Sequence, residues 1–529
     1  MSLQWSLSRV VPADTAALGQ ELLSAQDPMR RIGDSFDSWM PQEEQFAPLY
    51  SDQGRGAISP LLLALVTVFQ MLEKIPDRAA ARAVVLRIDW KYALHLPLGY
   101  TGFHFTDLSA FRQRLLQQGQ ERWLFDYLIS RLREQGLLPA RSKVRTDATH
   151  VVALMNRLSQ LELVHESLRV ALEALSAAAE DWVEESVPEV FRERYAARQH
   201  DYRLTDRQIT ERLRQAGHDG FWLLRQIDHD APVVLGTLSA VQTLRAVLEQ
   251  QFPQGPEQGP TPRRPGGRGV IETPHDPEVQ GAKKGSTSWL GSKVQVSESC
   301  TAGFPPWIVD VEVDEATRHD GKALAGVQQR LAERGLRPEQ QYVDQNYISG
   351  ENLAHSAAQG ITLMGRPPED HGAPEGYRQV DFQIDEAHQE ALCPQGQRNA
   401  VWSETKKRAG PLPCVEIRFA GSTCRACPAF GVCTASQSGR SLTLNPYRAW
   451  LDVARERAQS EDFREAFRLR SPIEGTISEL VRGHGLRYAR YRGLAKMRLQ
   501  AYFTGVAANL KRLMRWLGTQ EARAAASIT

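Results

Sequence analysis

The chain has 529 residues, 42% of them hydrophobic and 24% charged, with a formal net charge of +1. That length exceeds one simple core and the composition excludes a disordered chain, so two to four domains or large insertions are expected. Near-neutral charge means that nucleic-acid binding can be argued only from local clustering, and six cysteines in so long a chain make no disulfide scaffold, which points to a reducing cytoplasm.

The opening MSLQWSLSRVV lacks the basic and apolar regions of a secretory leader, and LLLALVTVF at 61–69 is too short to span a bilayer. Residues 1–140 read as helices: Ser59-Pro60 caps and starts LLLALVTVFQMLEKI, and WLFDYLISRLREQG ends at Gly136. KVRTDATHVV at 143–152 is rich in β-branched residues and reads as a strand. Apolar residues from Leu154 to Leu175 then follow helical spacing, and Thr205 is placed to cap TDRQITERLRQAG. Residues 253–269 hold ten Pro or Gly in seventeen positions and mark a linker. Beyond it, SWLGSKVQVSES, PWIVDVEVDEA, QQYVDQNYI and GITLMGR read as strands, with helices at DGKALAGVQQRLAERG and ENLAHSAAQ, so a mixed α/β sheet is expected. A turn-rich, cysteine-rich stretch at 392–440 precedes closing helices from about 446 to 517.

Three acids stand out by context: Asp147 in the first strand, Asp344 at the end of QQYV, and Glu474 at the start of a late helix. Carboxylates gathered from strand ends would suit Mg²⁺, a hard cation that takes oxygen ligands. Spacing leaves the choice open, because Asp310, Asp314 and Asp320 rival the middle position and Glu479 the last. Ser471-Pro472-Ile473-Glu474 also reads as a capping box, with Glu479 pairing to Arg482 one turn on. Leu480–Gln520 carries nine Lys or Arg and no acid. Arg487, Arg490, Arg492, Lys496 and Arg498 in that run suit DNA phosphates, with Tyr488 and Tyr491 placed to stack on unpaired bases. Cys424-x-x-Cys427, with Cys433 and Cys393, could hold a structural Zn²⁺ tetrahedrally, Cys414 being the reserve ligand. GAKKGSTS has the wrong spacing for a phosphate loop, His319-Asp320 and His275-Asp276 read as capping or surface pairs, and His150 falls on the opposite strand face from Asp147.

FRLRSPIEGTISELVR resembles the Tyr-Arg-Glu-Lys signature of bacterial insertion-sequence transposases of the DDE superfamily, offering Phe467, Arg470, Glu474 and Arg482. It departs by Phe for Tyr, Arg for Lys, and a last gap of seven residues instead of about six. RTDATHV resembles that family's first-aspartate strand, YVDQNYISGENL its second-aspartate segment, and KKGSTSWLGSKVQVSES its second hairpin, with Lys293 after the Trp-x-Gly step. PLLLALVTVFQML and SAFRQRL resemble the family's N-terminal helical domain, and the run from Arg482 to Leu513 its closing helix.

The resemblance implies an α/β ribonuclease-H-like core, a mixed sheet with flanking helices, at 141–153, 268–391 and 440–517. An all-α domain (1–140), for DNA binding or dimerisation, would precede it; a helical insertion (154–252), a linker (253–267) and a cysteine-rich insertion (392–439) would split it, and a flexible tail (518–529) would follow. Asp147, Asp344 and Glu474 would bind two Mg²⁺ or Mn²⁺ ions, and Lys293, Arg470 and Arg482 would join the basic run in DNA contact. The implied partners are transposon-end inverted repeats, target DNA and a second copy of the chain, in the bacterial cytoplasm at the nucleoid with no membrane. The rival expectations are a catalytically inactive DNA-binding descendant and a hydrolytic nuclease without strand transfer.

Overall fold

The computed structural model describes residues 7–51, 56–200, 204–255, 260–263, 269–368, 374–409 and 412–526. Much of the Pro/Gly-rich stretch at 253–267 therefore lies outside the described residues. The central element is a six-stranded sheet of β1 (Lys143–Val152), β2 (Gln280–Lys284), β3 (Thr287–Ser299), β4 (Ile308–Glu315), β5 (Gln340–Val343) and β6 (Thr362–Met364). Both β2 and β4 pair with β3, and the order then runs β3-β1-β5-β6. The β2–β3 turn is tight, with Gly285 at φ +61, a conformation that glycine adopts without steric cost. β1, β5 and β6 are parallel, so each link between them needs a crossover; helices Asp320–Glu333 and Gly350–Ala358 belong to those connections. A mixed sheet flanked by helices, behind a helical N-terminal region, is compatible with a ribonuclease-H-like core.

Two details explain why this sequence fits this sheet. A Cβ at Gly291 would fall 1.9 Å from the Val151 carbonyl oxygen, so the close approach of β3 to β1 requires glycine there. Asn509, on the closing helix Leu494–Ala526, accepts from the Ile308 amide at 2.9 Å and donates to its carbonyl at 2.8 Å. One side chain thus satisfies two backbone groups on β4 that would otherwise be buried unpaired.

The Pro60–Glu73 helix is buried almost all round, from Pro60 to Met71, and Ser59 caps it by accepting from the Leu62 amide. It joins the other N-terminal helices, β1, β3, β4 and the closing helix in one apolar cluster that includes Phe69, Phe111, Val296, Val311 and Leu510. Helices between Gln160 and Gln251 enclose a second cluster, and Thr205 caps one of them in a capping box with Gln208. Strands β7 (Gln383–Asp385), β8 (Glu390–Leu392), β9 (Val401–Ala409), β10 (Leu412–Arg418) and β11 (Ser441–Leu444) form two small sheets around Phe382, Ile417, Phe419 and Leu442.

Three local expectations are corrected. The closing helix continues to Ala526, so the segment expected to loosen after 517 is helical nearly to its end. Ser471 makes no cap: the turn Arg468–Arg470 runs straight into the helix Ile473–Ser478, with Ser471 already in right-handed helical geometry. Glu479 does not pair with Arg482. It meets Arg512 at 2.9 Å and Lys511 at 3.5 Å, both from the closing helix, and His484 at 3.9 Å.

The His484 ring, and then the Arg512 and Lys511 cations, outweigh burial and hold the Glu479 carboxyl down to about 2, against 4.5 ordinarily. A depressed carboxyl stabilises the fold above its unfolded value, and that stability is lost as pH falls through the folded value. Glu479→Gln should therefore cost about 2 kcal/mol at neutral pH, after discounting for partial exposure. In denaturant titrations the gap to the parent protein should close between pH 5 and pH 2, about the window the two values set.

Candidate active site

β1 pairs with β5 in parallel from Lys143↔Gln340 to Thr146↔Val343. The next residues on the two strands are Asp147 and Asp344, neighbours just past the end of that ladder. Asp344 ends its strand by capping a short turn, accepting from the Gln345 amide at 2.7 Å. Asp147 is largely buried. Burial pushes its carboxyl up, the Ala148 amide and Arg470 oppose that rise, and the charges of Asp344 and Asp320 add to it.

Glu474 reaches this pair through a cation. Arg470 donates to Asp147 at 2.8 Å and to Glu474, four residues on, at 3.2 Å. Arg470 is mostly buried, whereas the Glu474 side chain is 69% exposed. The segment that carries them is held by Arg145, which lies two residues before Asp147 on the same strand face. Arg145 donates to the Leu469 carbonyl at 3.1 Å and to the fully buried Glu298 at 2.6 Å. Glu298 also accepts from Thr476 and, at 2.6 Å, from Arg512.

A fourth acid belongs to the same neighbourhood. Asp320, in the first turn of its helix, contributes to the rise at Asp147 and pairs with Lys293 at 2.9 Å. Tyr347 lies among Asp320, Asp147, Asp344 and Asp314; burial first, then those charges, pushes its phenol well above the ordinary value. The sequence offered Asp320 only as one acid among several, and its neighbour His319 is the helix cap, accepting from the Gly321 amide. Of the other rivals, Asp310 lies elsewhere, buried among Arg122, Arg330 and Arg334, while Asp314, on the rim of this neighbourhood, pairs with Arg318.

Of these four carboxylates, Asp147 and Glu474 meet Arg470 and Asp320 meets Lys293. The donor chemistry, oxygen-only with an excess of negative charge, suits a hard divalent cation. Among the described residues, however, no three His, Cys, Asp or Glu side chains are gathered closely enough to hold a metal ion. The Arg470 guanidinium takes the position between Asp147 and Glu474.

Cys393, Cys424, Cys427 and Cys433 line one cavity of about 30 Å³, room for about one water-sized occupant. Three sulfurs accept backbone amides: Cys393 from Gln397 at 3.3 Å, Cys427 from Ala429 at 3.4 Å and Cys424 from Arg440 at 3.5 Å. The Cys433 thiol is pushed up by burial, against the pull of Arg440, and further by its three cysteine neighbours. These sulfurs share a space without closing to ligand distances. Cys414 is buried on β10 and does not line the cavity, and Cys300 is a free thiol that burial pushes up to about 11.

The basic run divides in two. Arg487 donates to the His150 carbonyl at 2.6 Å, and Arg498 pairs with Glu312 at 3.0 Å. Arg490 donates to the Gln70 and Ile75 carbonyls at the end of the Pro60–Glu73 helix, and Tyr491 lies under Arg112. Lys293 is held by Asp320 and the Arg318 carbonyl. Arg482, Arg492 and Lys496 are exposed and form no ion pair among the described residues, although the charge of Arg492 acts on Asp276, and Tyr488 is 64% exposed.

Residues 392–514 match the family model described as a transposase DDE domain, and residues 18–114 match one described as a transposase domain. The first implies a nuclease or transferase that acts on DNA. The two matches together support an insertion-sequence transposase of the DDE kind. Glu474 lies inside the matched regions, and Asp147 and Asp344 lie between them. No curated protein and no solved structure matches the chain. No helix among the described residues is long and apolar enough to cross a membrane.

The divided basic run gives opposite expectations for its two halves. Arg490→Ala should destabilise the fold by about 2–3 kcal/mol, since charged hydrogen bonds to buried carbonyls are lost, and should leave the salt dependence of DNA binding unchanged. Arg492→Ala with Lys496→Ala should leave the melting temperature unchanged and lower the slope of log K against log salt by about 2.

Proposed function

We propose that this chain cuts transposon ends to expose a 3′-hydroxyl and joins that hydroxyl to target DNA, with Asp147, Asp344 and Glu474 as the working carboxylates. The observation that carries the reading is the register of β1 and β5, which makes Asp147 and Asp344 neighbours, while Arg470 ties Asp147 to Glu474. Those three carboxylates would hold two Mg²⁺ or Mn²⁺ ions, which when bound supply an activated oxygen nucleophile and charge neutralisation at the leaving oxygen.

The chain's own contribution is position. β1 and β5 fix two carboxylates through backbone hydrogen bonds, and Arg145 and Glu298 fix the turn from which Glu474 projects. In the first step a water oxygen bonds to phosphorus as the bond to the 3′ oxygen breaks, and the 3′ oxygen takes a proton. In the second, that hydroxyl loses its proton and its oxygen bonds to a target phosphorus in line as the bond from that phosphorus to the target 3′ oxygen breaks, and the released 3′ oxygen takes a proton. Phe467, Arg470, Glu474 and Arg482 serve as this chain's version of the family signature, with Arg470 as internal counterion to the acids. The proposal includes a homodimer, with one active site for each transposon end.

Asp147→Asn should abolish metal-dependent cutting of labelled transposon ends and leave end binding nearly unchanged. Retained cutting would overturn the assignment of Asp147. If the parent protein cuts without joining, it is a hydrolytic nuclease; if it binds ends without cutting, it is an inactive descendant.

The cysteine cavity supports a structural zinc, since four thiols converge on a space of single-ion size and backbone amides point at three of the sulfurs. Metal analysis of the full chain should find about one zinc per chain, lost in Cys427→Ser. Purified protein without zinc would dismiss the site.

A further inference from the structure

The register that pairs the two aspartates continues one strand further. β5 and β6 align Tyr342 with Met364, so the chain leaves β6 towards Arg366 at the same end of the sheet where it leaves β5 at Asp344. Arg366 opens a groove of about 980 Å³ between the end of β6, the segment 378–382 and the helices Arg448–Gln459 and Glu461–Phe467. Arg378, Arg448, Arg455 and Arg464 also line it, against two acids, Asp452 and Glu456.

These arginines differ from those tied inside the fold. Arg145, Arg330, Arg334 and Arg512 are ion-paired inside the fold. In the groove, Arg448 and Arg455 each have one exposed carboxylate partner, Glu386 and Asp452. The side chains of Arg366, Arg378 and Arg464 are exposed and pair with no carboxylate among the described residues, although the Arg378 backbone amide donates to Asp381 at 2.7 Å. Arg366 lies over the Phe467 ring at 5.8 Å, and Phe467 stacks on Phe463 at 5.3 Å. Phe467 leads within three residues to Arg470, so the groove floor and the acid site are parts of one segment.

A small-molecule pocket is mostly apolar with few polar groups. A large groove with surplus guanidinium charge suits a chain of phosphates instead, and arginine forks match phosphate oxygens two at a time. We infer that this groove holds the backbone of the DNA strand flanking the phosphate to be cut, with Arg366, Arg378 and Arg464 as phosphate contacts. The inference rests on the active-site reading for what lies at its end. Its contacts fix position and carry no base sequence, so they would be felt on any DNA.

The test uses the full chain carrying Asp147→Asn, so that cutting does not intervene. The probe is a labelled duplex of arbitrary sequence with a single-stranded end, its binding read by anisotropy across a salt series. Arg366→Gln, Arg378→Gln and Arg464→Gln together should lower the slope of log K against log salt by roughly 2 to 3. Replacing Arg207, exposed and far off on a helix of the second cluster, should not change it. Should the triple variant fail to fold, Arg378→Gln and Arg464→Gln singly should each lower the slope by about 1. An unchanged slope in folded variants overturns the groove. Parent cleavage, assayed separately, reads the active-site proposal: a lowered slope without parent cutting sustains the groove and removes the transposase chemistry.

Discussion

The structure around the acids depends on one buried carboxylate. Glu298, on β3, has no exposed surface and takes hydrogen bonds from Arg145 on β1, Thr476 beside the Glu474 turn, and Arg512 on the closing helix. A charge in that position is tolerated only because it is paired and bonded on every side, and loss of one partner strands the others. It joins three elements that are far apart in the chain, and those elements carry Asp147, Glu474 and the helix that covers the sheet. The sheet fixes two aspartates by register; Glu298 fixes where the third acid can come from.

Much of this was legible because it was local. β-branched alternation marked β1 to its last residue, and the strand-helix-strand rhythm after 300 marked β4, β5 and β6 with their crossovers. Ser59 and Thr205 cap as their sequences indicate. The candidate acids Asp147 and Asp344 fell on strands whose pairing makes them neighbours. The four cysteines likewise converge on one cavity, although their sulfurs are not at ligand distance.

What was not legible depended on distant partners. The basic run is free of acids in sequence but not in space: Glu312 meets Arg498, and Glu298 and Glu479 meet Arg512. An exposed basic helix and an internally tied one look the same when only the chain order is read. The capping box at Ser471 failed for a related reason. The turn before it is held by Arg145 through the Leu469 carbonyl, so the helix has no free first turn for Ser471 to cap. Asp320 was passed over because its neighbour explained it too well as a helix start, while its nearness to Asp147 arises only from the crossover.

The contacts of Arg490, His484 and Lys74 at the end of the Pro60–Glu73 helix carry a consequence for how such a protein can diverge. Because the inner faces of the N-terminal helices are also the inner lining of the central sheet, those helices cannot be exchanged as a detachable unit. A lineage can change the outward-facing residues of these helices one at a time, while the inward face stays constrained by the sheet that it covers.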